Sequence, residues 1–444
     1  MIVVVGAGPA GMAAARTAAR AGAAVVLIDS APRAGGQYHR QNPWGAEKFS
    51  FPDNVVQLGE TVVWACEPIE GGHRLHLRTG PADGPGRRAT CLDAAALVLA
   101  TGAYDRALPF PGWDLPGVYT AGAAQALAKG QGIAVGERVL LAGTGPFLLP
   151  VAESLLGAGA RVLGVLEANG PGARWLAEPS ALKAGWRKAG ELAGYARLLA
   201  RHRVPYRPRT AVIAAHGREH VESATVARLD ADWNVVPGSE ERVVADAVCA
   251  GFGFTPQLEL AVSARCAIEH GCVAVNLAQA TSTSGVFAAG EITGIGGADL
   301  AAAEGEVAGA AAARFLGVAT EIPRRALRRV RAGRRFADGL GRVYPIRDGW
   351  RAWLREDTLV CRCEEVSYGE LTGALARRDA LGVRALKLVG RAGLGPCQGR
   401  ICGATLAELT RLPEGAAAFA RRPIAAPLRL GELAETETPW EEKE

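Results

Sequence analysis

The sequence lacks the features that mark several classes of protein. No Cys-x-x-Cys pair occurs, which excludes an adjacent redox dithiol of that type. No apolar stretch of about 20 residues runs uninterrupted, so no transmembrane helix is predicted. The apolar start has no basic segment and is broken by glycines, so it is not predicted to be an export signal. Aromatic residues make up only 6% and do not interleave with basic ones, which argues against a nucleic-acid partner.

Cysteine and histidine are also few for a chain of 444 residues. Nine cysteines without a secretory signal do not indicate a disulfide scaffold. A cytoplasmic location is therefore expected, with peripheral association at the inner face of the membrane as the alternative. The seven histidines are dispersed, and no nucleophile–base arrangement stands out, so no catalytic residue is predicted. Five cysteines lie among apolar residues and are predicted to be core thiols: Cys66, Cys91, Cys249, Cys266 and Cys272.

Two strand–helix–strand units set the fold class. The first has strands over 2–5 and 24–28 with a helix over 9–21, and the second has strands over 138–142 and 161–166 with a helix over 146–156. Two nucleotide-fold openings in one chain predict an α/β protein with two interleaved Rossmann-like domains, followed by a small helical module.

Composition and motifs predict six segments. They are an FAD-binding domain over 1–118, a second nucleotide-binding-like domain over 119–250, a return of the FAD domain over 251–320, an arginine-rich connection over 321–357, an iron–sulfur module over 358–415 and a tail over 416–444. The arginines of the connection are expected to face a partner or the body of the protein, or simply solvent. The tail is expected to be a loose arm.

The first glycine motif follows a strand and opens a helix. In such a motif the first glycine permits the tight turn, the second admits a pyrophosphate, and the third lets helix and strand pack closely. The helix N-terminus then faces the phosphates, and an acid ends the second strand, where it can bind a ribose. The predicted contacts are Gly6, Gly8, Pro9, Ala10, Gly11, Asp29 and Ser30.

Later motifs favour FAD over NAD. The loop Gly35-Gly36-Gln37 resembles the flavoprotein loop that lies against the flavin side of the cofactor, and Thr101-Gly102 resembles the turn that ends the first part of an FAD domain. Gly290-Glu291 resembles the late motif that brings an acid, usually aspartate, to the ribitol and phosphate. A generic Rossmann domain with coincidental glycine turns is the alternative.

The second glycine motif is less complete. Gly143 and Gly145 follow a strand, and Glu167 ends the next strand, but Leu148 occupies the third glycine position. A bulky residue there is expected to narrow a standard dinucleotide seat. No arginine stands beside Glu167 in the sequence to meet a 2′-phosphate, which disfavours NADP. NAD or an adenine nucleotide at this site, and a vestigial fold, remain equal alternatives.

Four clustered cysteines give the sharpest chemical signal. Cys361 and Cys363 form a Cys-x-Cys pair, and Cys397 and Cys402 form a Cys-x4-Cys pair. Four thiolates are the ligands of a [2Fe-2S] cluster, whereas structural zinc modules normally space the cysteines of both pairs two to four residues apart. Gly395, Gly399 and Gly403 would let the backbone curl and donate N–H groups to sulfur. Zinc and unliganded thiols are the alternatives.

With these motifs, the chain resembles over nearly its full length the FAD/(2Fe-2S) subunit, called alpha or A, of hetero-oligomeric amino-acid dehydrogenases and oxidases. That family includes opine oxidases, D-hydroxyproline and proline dehydrogenases and hydrogen cyanide synthase. The cysteine module resembles bacterioferritin-associated ferredoxin, except that its second pair is spaced Cys-x4-Cys.

The resemblance implies a partner, a beta subunit carrying its own FAD, with a small third subunit in some complexes. It implies that electrons from an amino acid pass through the [2Fe-2S] cluster and the FAD of this chain to a dye or quinone. Two other hypotheses stay open: a stand-alone NAD(P)H-dependent reductase, and a non-enzymatic iron–sulfur sensor or scaffold.

Overall fold

The computed structural model describes residues 1–82, 84–378, 382–411, 415–435 and 437–440. The chain divides into two compact units, each assembled from separate stretches of sequence. The first unit comprises Met1–Ala103, Pro256–Arg334 and Ala420–Glu444, and the second comprises Tyr104–Thr255 and Arg335–Phe419. Two interleaved α/β folds were predicted from the two glycine motifs, and this fold class is confirmed.

A parallel sheet of five strands forms the centre of the first unit. Its strands read as short apolar runs such as IVVV and VVLI, and every residue of these two runs is buried. Such continuous apolar runs are typical of parallel strands covered on both faces. In spatial order the strands are Val286–Ala288, Ala96–Leu99, Ile2–Val5, Val25–Ile28 and Val55–Leu58.

Two alanine-rich helices, Pro9–Arg20 and Ala298–Phe315, pack against each other in this unit. A Cβ atom added at Gly305 would lie 2.0 Å from the carbonyl oxygen of Ala10, and one at Gly309 would lie 2.2 Å from that of Ala14. The two backbones therefore approach so closely that only glycine fits at these positions. The shorter helices of the unit are Glu259–Ser263 and Leu430–Ala434, with a 3-10 turn at Glu291–Thr293.

The first unit also holds an antiparallel sheet with strands Thr61–Ile69, Gly72–Thr79 and Arg88–Ala94, and a small hairpin of Ile268–Glu269 and Cys272–Val273. The tail adds a fourth strand to the sheet, because Thr438–Pro439 pairs in parallel with Thr90 and Cys91.

The prediction of a loose tail is wrong for the described part of that segment. Both nitrogens of the Arg87 fork donate to the buried carboxylate of Glu432 at 2.6 Å, and Arg78 donates to Glu437 at 3.0 Å. Arg78 is only 1% exposed, and a buried guanidinium needs a carboxylate partner, which the tail supplies. The acidic end at residues 441–444 lies outside the described residues.

The second unit repeats the parallel sheet. Its strands are, in spatial order, Tyr206–Pro208, Arg161–Glu167, Arg138–Gly143, Ala247–Gly251 and Val118–Thr120. An antiparallel sheet of Thr210–His216, Ser223–Arg228 and Glu241–Val244 follows. The helices of this part are Ala121–Gln131, Leu148–Gly157, Pro171–Leu176, Pro179–Ala184 and Ala189–Arg201, with a 3-10 turn at Trp186–Lys188. The short strands Ala103–Asp105 and Phe254–Pro256 carry the chain from one unit to the other.

The arginine-rich connection is mostly one helix, Arg324–Val343, followed by a 3-10 turn at Asp348–Trp353. Within the first unit, Arg329 pairs with Glu306 at 2.8 Å, and within the second, Arg342 pairs with Glu178 at 2.6 Å. These arginines therefore face the body of the protein. Trp350 and Trp353 are buried, and the ring of Trp353 stacks on Trp233 at 6.1 Å.

The cysteine module has a hydrophobic core of its own. Leu371, Leu386, Leu406 and Phe419 lie at its centre, and all four are almost fully buried. Its elements are the strands Leu359–Cys361 and Val366–Ser367, the helices Tyr368–Arg378, Val383–Gly390 and Gly403–Leu409, and a 3-10 turn at Gly415–Ala420. None of the helices in the described ranges combines the length and apolarity that crossing a bilayer demands.

Candidate functional site

The turn at Gly6 has the close backbone contacts that a dinucleotide motif requires. Gly6 has φ +103°, and a Cβ there would lie 2.2 Å from the carbonyl oxygen of Ala100. A Cβ at Gly11 would lie 1.7 Å from the carbonyl oxygen of Gly6. Neither position accepts a side chain, so the helix that Pro9 and Ala10 begin stays tight against the strand. Contact of this turn with FAD stays a prediction.

Asp29 connects the turn to the end of the second strand. Its carboxylate accepts hydrogen bonds from the backbone N–H of Ala7 at 2.6 Å and from that of Ala31 at 2.7 Å. Burial raises the pKa of Asp29, although these two hydrogen bonds oppose the rise. The side chain is half-buried and, with Glu47 and Gln57, lines a groove of about 180 Å³. The groove suits the adenosine end of a dinucleotide, while neighbouring Ser30 is exposed.

The loop at Gly35 and Gly36 packs directly on the glycine turn. The N–H of Gly35 donates to the carbonyl oxygen of Ala7 at 2.7 Å, and a Cβ at Gly36 would lie 2.7 Å from the Cα of Gly8. The two loops thus form a cradle made of backbone, without side chains that would keep a pyrophosphate away, and this fits FAD. The side chain of the following Gln37 accepts a hydrogen bond from Arg40.

The two later motifs, Thr101-Gly102 and Gly290-Glu291, also follow strands of the parallel sheet in the first unit. The hydroxyl of Thr101 donates to the carbonyl oxygen of Gln257 at 3.0 Å, and Gly102 has φ +79°. Gly290 has φ +82° and follows the strand Val286–Ala288. The carboxylate of Glu291 accepts the N–H of Gly297 at 2.8 Å, so one of its oxygens is bound within its own loop.

Sequence reasoning missed a buried acid beside this motif. Glu304 is fully buried, accepts hydrogen bonds from the N–H of Gly290 at 2.9 Å and the hydroxyl of Thr293 at 3.0 Å, and pairs with Arg334. Burial raises the pKa of Glu304, and Arg334 opposes the rise. The available signal was a charged residue in an alanine-rich helix, where an unpaired acid would be costly.

The turn at Gly143 differs from the turn at Gly6 at the third position of the motif, where Leu148 stands in place of a glycine. A Cβ at Gly143 would lie 1.8 Å from the carbonyl oxygen of Gly251, whereas nothing lies within 4 Å of one at Gly145. Leu148 is 1% exposed and its side chain packs beside Gly251, so the position expected for a third glycine belongs to the core.

Glu167 is held entirely by its own chain. One carboxylate oxygen accepts the Thr144 hydroxyl and the Asn169 N–H, each at 2.8 Å, and the other accepts the Gly145 N–H at 2.8 Å. It is 1% exposed, and burial raises its pKa to about 7. The carboxylate therefore braces the turn from within the core, where a ribose cannot reach it.

The four predicted cysteines line one cavity of about 210 Å³. The sulfurs of Cys361 and Cys402 are buried and 3.8 Å apart. Cys402 also contacts the thiol of Cys397, which in turn contacts that of Cys363. The thiols thus form a row that runs from a buried end to an exposed end at Cys363. Cysteine ligands in two pairs suit a two-iron cluster.

Backbone donors surround the cysteines. The N–H of Gly393 lies 3.5 Å from the sulfur of Cys361, and the N–H groups of Gly399 and Ile401 face Cys397. The contact with the Cys402 thiol, helped by these donors, lowers the pKa of Cys361 to about 6 and that of Cys397 to about 5. The same contacts raise the pKa of Cys402, and burial raises that of Cys363. Thiolates are the form that binds soft metals, so Cys361 and Cys397 are the two thiols already suited to bind iron.

No three or more His, Cys, Asp or Glu side chains of the described residues converge as the ligands of a metal ion would. The site is therefore described by the pairwise contacts of the four thiols.

Glycines are needed here for packing as well as for turning. A Cβ at Gly395 would lie 2.4 Å from the Cβ of Cys363, and Cβ atoms at Gly399 and Gly403 would meet the ring of Phe419 at 2.7 and 2.9 Å.

Trp113 and Tyr104, two aromatic residues that sequence reasoning missed, bind the cysteine module to the rest of the second unit. The indole N–H of Trp113 donates to the carbonyl oxygen of Leu359 at 2.6 Å, and the guanidinium of Arg362 lies 5.2 Å from the Trp113 ring. Arg400 donates to the hydroxyl of Tyr104 at 2.9 Å. Each cysteine pair thus has an arginine between its members, which favours a negatively charged group.

The chain is similar to known proteins over most of its length. A family model described as pyridine nucleotide-disulphide oxidoreductase matches residues 1–313. The A subunit of opine oxidase from Agrobacterium tumefaciens is 33% identical over 476 residues, covering 98% of this chain and 91% of that protein. The HcnB subunit of hydrogen cyanide synthase from Pseudomonas aeruginosa is 34% identical over 427 residues, covering 90% of each.

A solved structure of L-proline dehydrogenase from P. horikoshii has a TM-score of 0.67 at 17% identity, covering 98% of this chain and 79% of that one. At this identity the likeness shows the fold alone.

Proposed function

We propose that this chain is the electron-transfer subunit of a hetero-oligomeric amino-acid dehydrogenase. The chain is an FAD-dependent oxidoreductase that belongs to the pyridine nucleotide-disulphide oxidoreductase family. It also belongs to the family of the opine oxidase A and HcnB subunits. The observation that carries the proposal is the row of four thiols in one cavity. A chain with a dinucleotide cradle and a four-cysteine site has the parts of a relay.

The cysteines hold a [2Fe-2S] cluster, and the cradle of Gly6–Gly11, Asp29 and Gly35–Gln37 holds FAD. Flavin exchanges electrons in pairs or singly, whereas a [2Fe-2S] cluster exchanges them singly. Cys361 and Cys402 anchor the cluster on the buried side, and backbone N–H groups such as that of Gly393 stabilise added negative charge. Cys363, at the exposed end, faces the side from which a partner can approach.

The partner in this proposal is a second flavoprotein, the beta subunit, which oxidises the C–N bond of an amino acid. A small third subunit completes some such complexes. The relatives are subunits named for opine oxidase and hydrogen cyanide synthase, and the substrate class in this proposal is an opine, glycine, proline or hydroxyproline. Electrons leave through the FAD of this chain to a dye or a quinone. The protein acts in the cytoplasm, at the inner face of the membrane when the acceptor is a quinone.

The experiment compares Cys363→Ser with Cys91→Ser in the co-expressed complex. Cys363→Ser should remove the iron–sulfur absorption and electron paramagnetic resonance signal, retain FAD, and lower dye reduction at least about a hundredfold. Cys91 is a half-buried thiol of the antiparallel sheet in the first unit, so its variant is expected to keep all three properties. Zinc in the purified protein, or full turnover by Cys363→Ser, would contradict the relay.

The second candidate function is a stand-alone NAD(P)H-dependent reductase, favoured by the glycine turn at Gly143. Against it stands Glu167, which is only 1% exposed and is bound by Thr144, Gly145 and Asn169. Anaerobic addition of NADH or NADPH to the purified chain tests it. Bleaching of the flavin without a partner protein would establish the reductase in place of the relay.

A further inference from the structure

The loop that joins Cys397 to Cys402 carries an arginine whose side chain is held by three acceptors. The Nε of Arg400 donates to the hydroxyl of Tyr104 at 2.9 Å. A terminal nitrogen of the same guanidinium donates to the carbonyl oxygen of Cys397 at 3.2 Å and to the side-chain oxygen of Gln398 at 3.1 Å. Arg400 is half-buried, so water screens its charge less than it screens the charge of an exposed arginine.

The contact with Cys397 places this positive charge close to a sulfur. The carbonyl oxygen and the sulfur of one cysteine are joined through Cα and Cβ, so they lie about 5 Å apart at most. The guanidinium therefore lies within about 8 Å of the Cys397 sulfur. At that distance, with an effective dielectric constant of about 20, one charge changes the equilibrium of another at least about tenfold.

Tyr104 stands on a segment that is fixed on two sides. The backbone N–H of Arg106 donates to the carbonyl oxygen of Gly253 at 2.9 Å. The carbonyl oxygen of Ala107 accepts the hydroxyl of Thr405, a residue of the cysteine module, at 2.7 Å. The chain around Tyr104 is therefore bound both to the sheet region of the second unit and to the module, which makes its hydroxyl a firm anchor for the guanidinium.

We propose that Tyr104 is a positioning residue of the iron–sulfur centre, which holds the charge of Arg400 beside the thiols and thereby raises the reduction potential of the cluster. The inference rests on the proposed function, because it requires that the four cysteines hold a [2Fe-2S] cluster. Reduction adds one negative charge to such a cluster, and a nearby positive charge favours the reduced state. Tyr104 acts through Arg400 and not by its own contact with the cluster.

The arginine of the other cysteine pair is placed differently. Arg362 stands between Cys361 and Cys363, is exposed, and has its guanidinium 5.2 Å from the ring of Trp113. Because water and salt screen an exposed charge, its influence on the cluster is expected to be smaller than that of Arg400.

A redox titration of the full-length holoprotein tests the proposal. Dithionite supplies one electron to each cluster, and the electron paramagnetic resonance signal at each potential gives the midpoint. Arg400→Gln should shift the balance at least about tenfold toward the oxidised cluster, a fall of about 59 mV for a one-electron couple. Tyr104→Phe, which removes only the hydroxyl, should shift it in the same direction at least about threefold.

Two further variants separate the charge from the structure around it. Arg400→Lys keeps a positive charge and should stay within about threefold of the wild type. Arg218→Gln removes the same charge from an exposed position of the second unit and should leave the midpoint unchanged. Iron and FAD contents equal to those of the wild type show that each variant is folded and loaded.

An unchanged midpoint in Tyr104→Phe overturns the proposal, and this variant keeps the test valid if Arg400→Gln loses its cluster. Equal falls in Arg400→Gln and Arg400→Lys also overturn it, because the charge would then have no part in the effect. A wild-type protein without iron overturns the proposed function together with this inference, whereas unchanged midpoints in loaded variants overturn this inference alone.

Discussion

The turn at Gly6 and the turn at Gly143 follow the same path, from a buried parallel strand through a glycine turn into a helix and a second strand that ends in an acid. The chain's own N–H groups bind both oxygens of each acid, but Asp29 is half-buried and lines a groove, whereas Glu167 is only 1% exposed. The turn at Gly6 is covered by the loop at Gly35 and Gly36, whereas Leu148, which follows the turn at Gly143, is buried in the core. The same local fold thus opens onto a groove in one unit and forms a braced structural turn in the other.

This difference shows that a glycine motif reports a chain path more reliably than a ligand. The acid that would bind a ribose can equally hold the turn together, because both jobs require only a carboxylate at the end of the second strand. What separates them is the accessibility of that carboxylate, which depends on the residues packed above it.

The largest expected effect comes from giving the first turn a side chain at its third glycine. In Gly11→Ala the new Cβ would lie 1.7 Å from the Gly6 carbonyl oxygen, so helix and strand must separate. We expect a loss of about 3 kcal/mol or more in the free energy of unfolding, and loss of bound FAD. Flavin absorbance per mole of protein and urea denaturation measure both.

Gly157→Ala is the matched control, since it ends the corresponding helix of the second unit and nothing lies within 4 Å of its Cβ. It should change stability by no more than about 1 kcal/mol, in the stabilising direction. If Gly11→Ala kept FAD and stability, the contrast between the two turns would be lost.

The second largest expected effect is a pH dependence of stability, caused by Glu167 at the turn at Gly143. The pKa of Glu167 rises from 4.5 to about 7 on folding, so between these values the folded protein holds a proton that the unfolded chain has released. Its contribution to stability therefore falls by about 3 kcal/mol as pH rises through this window.

Urea denaturation of Glu167→Gln at pH 5 and pH 8 measures this contribution. Relative to the wild type, the variant should be about 3 kcal/mol worse at pH 5 than at pH 8, because only the wild type loses stability over that range. Glu219→Gln, at an exposed position of the same unit, should show no such change. A pH-independent difference for Glu167→Gln would contradict the assigned pKa.

The smallest effect is expected at Gly145. It has φ +100°, which disfavours a side chain, but its Cβ would meet no atom within 4 Å. Gly145→Ala should therefore cost only about 1 to 2 kcal/mol of strain, with FAD content unchanged. A cost as large as that of Gly11→Ala would mean that the second turn is packed as tightly as the first.

Much of the fold could be predicted because its signals are local. The apolar run Ile2–Val5 is a strand as predicted, Arg138–Gly143 is the strand predicted over 138–142, and Pro9–Arg20 is the helix predicted over 9–21. The four cysteines of the predicted cluster line one cavity, and the members of each pair lie close together in the sequence. Their metal, and the contacts of the other predicted site residues with FAD, stay predictions.

The contacts that were missed depend on residues distant in sequence. Glu304 and Arg334 stand 30 positions apart, and neither has a neighbouring motif. Asn169, after a strand of the second unit, donates to the carbonyl oxygen of Pro345, which follows a long helix 176 positions later. The tail was misjudged for the same reason, since its charges suggested solvent until buried Arg78 and Arg87 were seen to need them.

The pairing of Thr438–Pro439 with the sheet of the first unit has a consequence for biosynthesis. A ribosome makes the glycine turn at its start and the edge strand of the same unit more than 400 residues later. The earlier part of this unit must therefore wait, with an incomplete sheet, until residues 438–439 have been translated. Completion of this sheet is expected to be slow because its partners are so distant in sequence, and chaperone protection of the nascent chain should matter most for this unit.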